Sequence, residues 1–368
     1  MGMTKSEFRS IVIFGGAGFI GSNWTERLLR TTDAKIHVFD NLSRQGTRHN
    51  LEYLQKTAGH SGRLQITVGD VRDAAMVSRA VQYATEIYNF AAQVAVTTSL
   101  ADPRLDFEVN LGGTFNILEA ARRNEQKPYL LFTSTNKVYG NSGDGEVRVD
   151  GARYVTDGRS GTDESQPLDF HSPYGCSKGS ADQYVRDYAR IYGLRSVVFR
   201  MSCIAGPRQF GSEDQGWVAH FLYSALEGKP VTIFGDGRQV RDILYVEDLL
   251  CAFEAAYANR EHTAGQIYNI GGGQQNTISL LELMDRMERL TGARTTCKFG
   301  EQRAGDQLIY VTDHGKFSSH TGWQPRVSLD GIVNGICNWY RGHHQLFAPT
   351  RAERLRPLEL LVPARRTA

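Results

Sequence analysis

Charge of one sign is what this 368-residue chain has least of: 42 lysines and arginines face 40 aspartates and glutamates, a net charge of +2. Nothing in that balance asks for a nucleic acid or an anionic membrane as partner. A local arginine cluster can still serve a small anionic molecule, because such a site needs no basic protein around it. Cysteine is scarce as well. Cys176, Cys203, Cys251, Cys297 and Cys337 are scattered, odd in number and without Cys-x-x-Cys spacing, which argues against a disulfide framework and points to a reducing cytoplasm. No apolar run reaches the length of a membrane span, and the one near the N-terminus is too short for the core of a signal sequence. Internal repeats are missing too. The expectation is a soluble cytoplasmic protein whose 40% hydrophobic residues suffice for a sizeable core.

What is present is alternation. Residues 11–14 (IVIF) read as a buried strand, Gly15 to Gly21 as a tight turn, Ser22 to Arg30 as a helix and Lys35 to Asp40 as a second strand. Further strands are expected at 64–70, 86–92, 129–135 and 196–200, with helices at about 110–123 and 174–191. Strands alternating with helices predict an α/β fold, a doubly wound parallel sheet covered on both faces. After Arg200 the chain breaks into Gly- and Pro-punctuated pieces, the texture of a smaller C-terminal α/β lobe. The predicted division is a nucleotide-binding Rossmann domain from 10–200 and 238–270, a substrate lobe from 201–237 and 271–341, and a tail from 342–368. The tail's arginines read as a solvated end, and its adjacent His343 and His344 are not expected to bind a metal.

The turn GGAGFIG places Gly15, Gly18 and Gly21 between strand and helix. Glycines there let backbone N–H groups approach a pyrophosphate, whose charge the helix N-terminus favours. Asp40 ends the next strand, where a carboxylate can accept from a ribose 2′-hydroxyl and would repel a 2′-phosphate, so NAD is favoured over NADP. Arg44 lies close by. Asp70, ending the third strand, either meets the adenine region or holds a turn.

In HSPYGCSKG, Tyr174 and Lys178 are one helical turn apart. Such a pair means nothing alone. Taken with the glycine turn and the Thr-Ser-Thr end of the strand in FTSTNKVYG (132–140), in that order along the chain, it resembles the extended short-chain dehydrogenase/reductase family of nucleotide-sugar enzymes, over about residues 10 to 341. The resemblance implies that Tyr174 is the general base, that Lys178 stabilises its phenolate and reaches the nicotinamide ribose, and that Thr135 holds the sugar hydroxyl. A free phenol titrates near ~10, so it needs nearby cations to act as a base at neutral pH. Phe19, Ile20, Asn41, Val71, Ala91 and Gln93 are further expected cofactor contacts.

The residues after Thr135 separate branches of that family. Members that dehydrate the sugar resemble one another in an Asp-Glu pair at this place, whereas here it is Asn136-Lys137, which cannot supply the acid and base of an elimination. Reversible oxidation becomes the leading reaction. The strings DNLSRQGTRHNLEYL, QVAVTTS, STNKVYG, DFHSPYGCSKGSADQY, RQFGSEDQGWV and GDGRQVRD are similar to the CDP-paratose 2-epimerase (CDP-tyvelose epimerase) branch, which implies inversion at carbon 2 of a CDP-hexose through a transient ketone. The asparagine that many sugar 4-epimerases carry after the sixth strand is replaced by the Ser202-Cys203 region. A UDP-sugar 4-epimerase and a non-catalytic NAD sensor are the rival readings.

A nucleotide diphosphate calls for arginines, which bind it bidentately. Arg208, Arg241 and Arg303 are the candidates, and the resemblance implies diphosphate contacts for Arg241 and Arg303 with Asp306 near the nucleotide ribose. Gln209, Phe210, Gln215 and Trp217 are expected in the sugar and base pocket, or else as lobe packing, and Asn136 and Thr98 at the sugar. Asn110 either buttresses the site or caps a helix. The long segment 141–169 is expected to be a lid or hairpin, and the resemblance implies a homodimer through the helices at 110–123 and 174–191.

Overall fold

In the first strand Ile11 and Ile13 face one way and Val12 and Phe14 the other, and all four are buried. A strand apolar on both faces must lie inside a sheet covered on both sides. A computed structural model, which describes residues 9–140, 145–158, 161–303 and 305–347, has that architecture. Its strands run β1 (Ser10–Phe14), β2 (Lys35–Asp40), β3 (Leu64–Val68), β4 (Glu86–Asn89), β5 (Tyr129–Thr135), a hairpin of β6 (Val147–Asp150) and β7 (Arg153–Thr156), and β8 (Ser196–Met201). There follow β9 (Cys203–Ala205), β10 (Val231–Phe234), β11 (Val240–Tyr245), β12 (Ile267–Ile270), β13 (Thr277–Ser279), β14 (Cys297–Gly300) and β15 (Ile309–Tyr310).

The central sheet has seven strands in the order β3-β2-β1-β4-β5-β8-β12, with every neighbouring pair parallel. The chain winds outward from β1 to β3 and then returns to the other side of β1, so the order reverses between β1 and β4. In doubly wound sheets the crevice outside that reversal is where ligands bind. One face carries a core of Ile11, Trp24, Tyr88, Leu131, Phe199 and Phe253, the other a core of Val12, Phe39, Ile117, Phe132, Val185 and Val198.

A third apolar cluster, with Phe221, Ile233, Ile243, Leu283 and Ile336, lies under the smaller sheets. There β11 pairs with β9, β13 and β15, and β10 with β14. The helix Leu280–Thr291 starts on a capping box of Ser279 and Glu282, which satisfies its first free N–H groups. The hairpin docks on this region: Tyr154 N donates to Arg238 O at 3.0 Å, and Arg153 pairs with Glu282 at 2.7 Å. Residues 141–144 and 159–160 of the expected lid lie outside the described residues.

Three expectations shift. The first helix begins at Phe19 rather than Ser22, because Gly18 already occupies its N-cap and brings the helix N-terminus into the glycine turn. The helix expected from 110 splits into a π-helical turn, Glu108–Gly112, and an α-helix, Gly113–Arg123. The last helix, Leu329–His343, crosses the expected tail boundary, and Phe347 packs beyond it on Phe210, Tyr223 and Tyr340. The remainder of the expected tail, 348–368, is outside the described residues.

One buried ion pair locks helix Pro173–Tyr192 to the sheet. Arg200 of β8 donates to both oxygens of Asp182 at 2.8 and 3.2 Å, Ser134 of β5 adds a third bond at 3.0 Å, and both charged side chains are almost wholly buried. Arg200 also reaches Tyr139 OH, which donates to Asn269. Removing one partner of such a pair strands a charge in the core, so Asp182→Ala is expected to cost about 3–5 kcal/mol. Urea unfolding measures it, and a loss well under ~1 kcal/mol would show that the pair does not hold the helix.

Candidate active site

The glycine turn is built for a close approach. Gly15 has φ +74°, and a Cβ there would stand 2.8 Å from Ala91 N, while one on Gly21 would stand 2.2 Å from Gly15 O. Gly18 would meet only Gly15 O, at 3.2 Å, which leaves its outer side open above the first turn of the helix with Phe19 and Ile20. Asp40 is nearly buried at the mouth of this turn, its two carboxylate oxygens accepting from Leu42 N at 2.8 Å and Ala17 N at 3.0 Å. Each oxygen keeps a lone pair for a ribose hydroxyl. Asn41 donates to Asp70, whose carboxyl the bidentate Arg72 guanidinium holds down to about 2. Val71 packs under Gly113. Gly15, Asp40 and Asp70 thus stand at the ends of β1, β2 and β3, three adjacent strands.

Thr135, Tyr174 and Lys178 meet across the end of β5. Ser172 caps the helix by accepting from Gly175 N, and Pro173 opens its first turn, which fixes Tyr174 there. One turn on, Lys178 donates to Thr133 O at 2.6 Å and lies over the Phe132 ring. Burial pushes the Tyr174 phenol up to about 12, against the Thr135 hydroxyl and the charge of Arg44. Burial likewise holds the Lys178 ammonium down to about 7, against Asp182 and Asp106. A phenol this dry becomes a base only when further positive charge arrives beside it.

A second buried network braces the same helix from the side. Ser177 donates to Asp106 and Asn110 donates to Ser177, Asp106 and Gln93 O, while Gln93 N donates back to Asn110 at 2.9 Å. The π turn swings Asn110 into this cluster, a local widening that occurs often at functional sites. Asn110 is therefore a buttress and not a helix cap. Asp106 and Ser177 had no signal in the sequence beyond being ordinary helix polar residues. The Gln93 side chain bonds within the loop, to Ala95 and Asp106, and so joins this brace.

On the other side of the crevice, Asn136 donates to Gln307 at 3.1 Å, and Gln307 O accepts from the buried Arg241 at 2.5 Å. Lys137 stands 3.6 Å from Asp306. Trp217 donates to Cys203 Sγ at 3.4 Å, and Gln209 is buried with its Oε1 unpartnered. Arg44 crosses from the cofactor side to donate to Gln215 at 2.5 Å. Arg303 lies 3.6 Å over the Phe234 ring, facing Asp214 and Glu213. Thr98 sits in the short helix Val96–Ala101 after β4, and the Gly305 loop comes within reach of Val96. Two candidates stand apart. Phe210 fills the space between Gly46, His49, Trp339 and Phe347, and Arg208 pairs with Glu26 and Asn23. Phe210 thus packs in an aromatic cluster, and Arg208 is held by an ion pair.

Residues 11–271 match the model of the NAD dependent epimerase/dehydratase family. The chain belongs to this family. It is 42% identical over 337 residues to a CDP-paratose 2-epimerase from Salmonella typhi, covering 89% of this chain and 98% of that one. Among solved structures it is similar to a dTDP-glucose 4,6-dehydratase from Streptomyces venezuelae with NAD bound, at TM-score 0.79 and 30% identity, covering 92% of this chain and 99% of that one. A UDP-glucose 4-epimerase from Thermotoga maritima matches at TM-score 0.77 and 30% identity, over 90% of this chain and 99% of its own. As a member of this family the chain is an NAD-dependent enzyme.

The buried lysine gives the family's cofactor-free fold a pH signature. Lys178 binds its proton with a pKa of about 7 when folded and 10.5 as a free side chain, so between these values the unfolded chain holds more proton and stability rises with pH. Cofactor-free wild type is therefore expected to gain stability relative to Lys178→Met from pH 7 to 10, read as the difference in Tm. A difference independent of pH would contradict a lysine buried in this way.

Proposed function

We propose that this protein is an epimerase that inverts carbon 2 of a CDP-linked hexose, of the paratose/tyvelose or glucose/mannose kind. The likeness to the Salmonella enzyme along nearly the whole chain carries the choice of carbon and base. Two features of the site agree with it. Thr135, Tyr174 and Lys178 provide for oxidation of a hydroxyl, while Asn136 and Lys137 lack the acid and base of an elimination.

In this reading residues 10–200 with 238–270 hold the cofactor, and 201–237 with 271–341 hold the nucleotide sugar. Gly15, Gly18, Phe19, Ile20 and Gly21 take the pyrophosphate, Asp40 and Asn41 the adenine ribose, and Lys178 the nicotinamide ribose. NAD supplies the positive charge that lowers the phenol and the transient acceptor for the hydride of carbon 2. Thr135 orients the carbon-2 hydroxyl, and Tyr174 takes its proton as the carbonyl forms. The ketone turns in the pocket to present its opposite face. Tyr174 then returns the proton to the oxygen as the hydride comes back, so that no net oxidation results. Arg241 and Arg303 bind the diphosphate, with Asp306 at the nucleotide ribose, and Gln209, Gln215, Trp217 and Thr98 border the sugar.

A homodimer through helices Gly113–Arg123 and Pro173–Tyr192 is supported by Phe115 and Tyr184, which stand exposed in edge-to-face contact on those helices. Five free cysteines support a reducing compartment, the cytoplasm. Among the described residues no helix is long and apolar enough to cross a membrane.

Incubation with CDP-glucose and, separately, UDP-glucose tests the proposal, with products identified by proton NMR. The expected product is the carbon-2 epimer from the CDP sugar, and a carbon-4 epimer from the UDP sugar would replace this reading with the 4-epimerase. Tyr174→Phe is expected to lose roughly 10²–10⁴-fold in turnover, the contribution of a positioned base, with NAD still bound. Full turnover in that variant would remove Tyr174 from the role.

A further inference from the structure

Lys137 occupies a place that general chemistry does not recommend for a lysine. Its amide donates to Thr135 Oγ1 at 3.2 Å, and its carbonyl lies so close to Gly175 that a Cβ there would stand 3.1 Å away. The residue is thereby clamped between Thr135 and the helix turn that carries Tyr174. Its side chain is largely buried, only 17% exposed, and points at Asp306, whose carboxylate at 3.6 Å is beyond good hydrogen-bond distance.

Arg241 is the second cation of this cluster. Arg241 is 8% exposed, and its guanidinium donates to two neutral carbonyls, Val240 O and Gln307 O. Gln307 ties it to the β5 end, because its side chain bonds Asn136 and the Gly140 carbonyl. Asp242, next in sequence, is turned away and used up by Ser202, Gly273 N and Thr312 N. Arg303 has its own carboxylates. Two buried cations that repel one another, Lys137 with Asp306 only at 3.6 Å and Arg241 on neutral carbonyls, make an arrangement that is unfavourable until an anion enters between them.

Resting on the nucleotide-sugar reading, we propose that Lys137 and Arg241 together grip the sugar-bearing phosphate of the nucleotide diphosphate, and that Lys137 thereby selects carbon 2 as the reacting carbon. The selection follows from ring geometry. Carbon 2 is bonded to the anomeric carbon that carries the phosphate, whereas carbon 4 lies across the ring from it. A phosphate held two residues past Thr135 brings the anomeric end up to Tyr174, and carbon 2 with it. A site for carbon 4 must keep its phosphate a ring's width further off. The dehydratase branch needs a carboxylic acid at this place, so an acid there and a phosphate grip exclude one another.

The ammonium's protonation agrees with this. Burial, and then the charge of Arg241, hold Lys137 down to about 8, against the pull of Asp306 and Cys203. Its proton is therefore loosely held until a phosphate arrives.

Affinities of the NAD-loaded protein for CDP and CMP, measured by calorimetry at pH 7.5, test the grip. Wild type is expected to prefer CDP, and Lys137→Met to lose at least about tenfold of that preference while binding CMP as before, with Lys137→Arg restoring it. Unchanged discrimination in Lys137→Met would overturn the proposal. With wild type alone, CDP affinity is expected to fall from pH 8 to 9.5 as Lys137 loses its proton, with Arg241, Asp306 and Cys203 the other groups facing it, and CMP affinity to stay level. A level CDP affinity would also overturn it. If wild type binds neither CDP nor UDP, the nucleotide-sugar reading itself falls. If CDP binds with the expected preference but the carbon-2 epimer never forms, the reaction assignment fails and the phosphate grip stands.

Discussion

Everything at this site depends on burying a lysine and a tyrosine side by side at the end of one strand. Water is what makes Lys178 an ordinary ammonium and Tyr174 an ordinary phenol, and the fold removes it from both. Burial disfavours the charged form of each, and the cost of holding the ammonium is offset by its surroundings. The Thr133 carbonyl and Phe132 ring receive the ammonium, and the Thr135 hydroxyl stands beside the phenol. Two buried networks then keep the helix from sliding: Arg200–Asp182–Ser134 beneath Lys178 and Asp106–Ser177–Asn110 beside it. A cofactor that brings positive charge into such a space has a much larger effect on the phenol than it would in water.

Past the end of β5 the buried charge is positive. Lys137 and Arg241 are both largely buried there, and Asp306 stands 3.6 Å from Lys137. The two halves are joined by side chains that cross the crevice, Arg44 to Gln215 and Asn136 to Gln307. The two residues directly after the last Thr of β5, Asn136 and Lys137, both face this side.

Much of this was legible in the sequence because it is local. The β-α-β alternation, the glycine turn, Asp40 at a strand end and the one-turn spacing of Tyr174 and Lys178 are all set within short stretches. Asp106, Asp182 and Gln307 were not legible, since each gains its importance from a partner that is distant in the chain, as with Gln307 and Asn136 at a separation of 171 residues. The settings of Phe210 and Arg208 were not legible for a related reason: an aromatic ring or a guanidinium has the same signature whether it lines a pocket or packs against another helix. Their positions between the first two helices and the chain's last described residues come from tertiary packing alone.

The central claim is that carbon 2 is oxidised and reduced inside one pocket, with its own hydrogen returned. CDP-glucose carrying deuterium at carbon 2, incubated in ordinary water and examined by NMR, tests this most directly. A carbon-2 epimer that keeps its deuterium is the predicted result. An epimer that has exchanged it for solvent hydrogen would mean deprotonation at carbon, and would contradict the account.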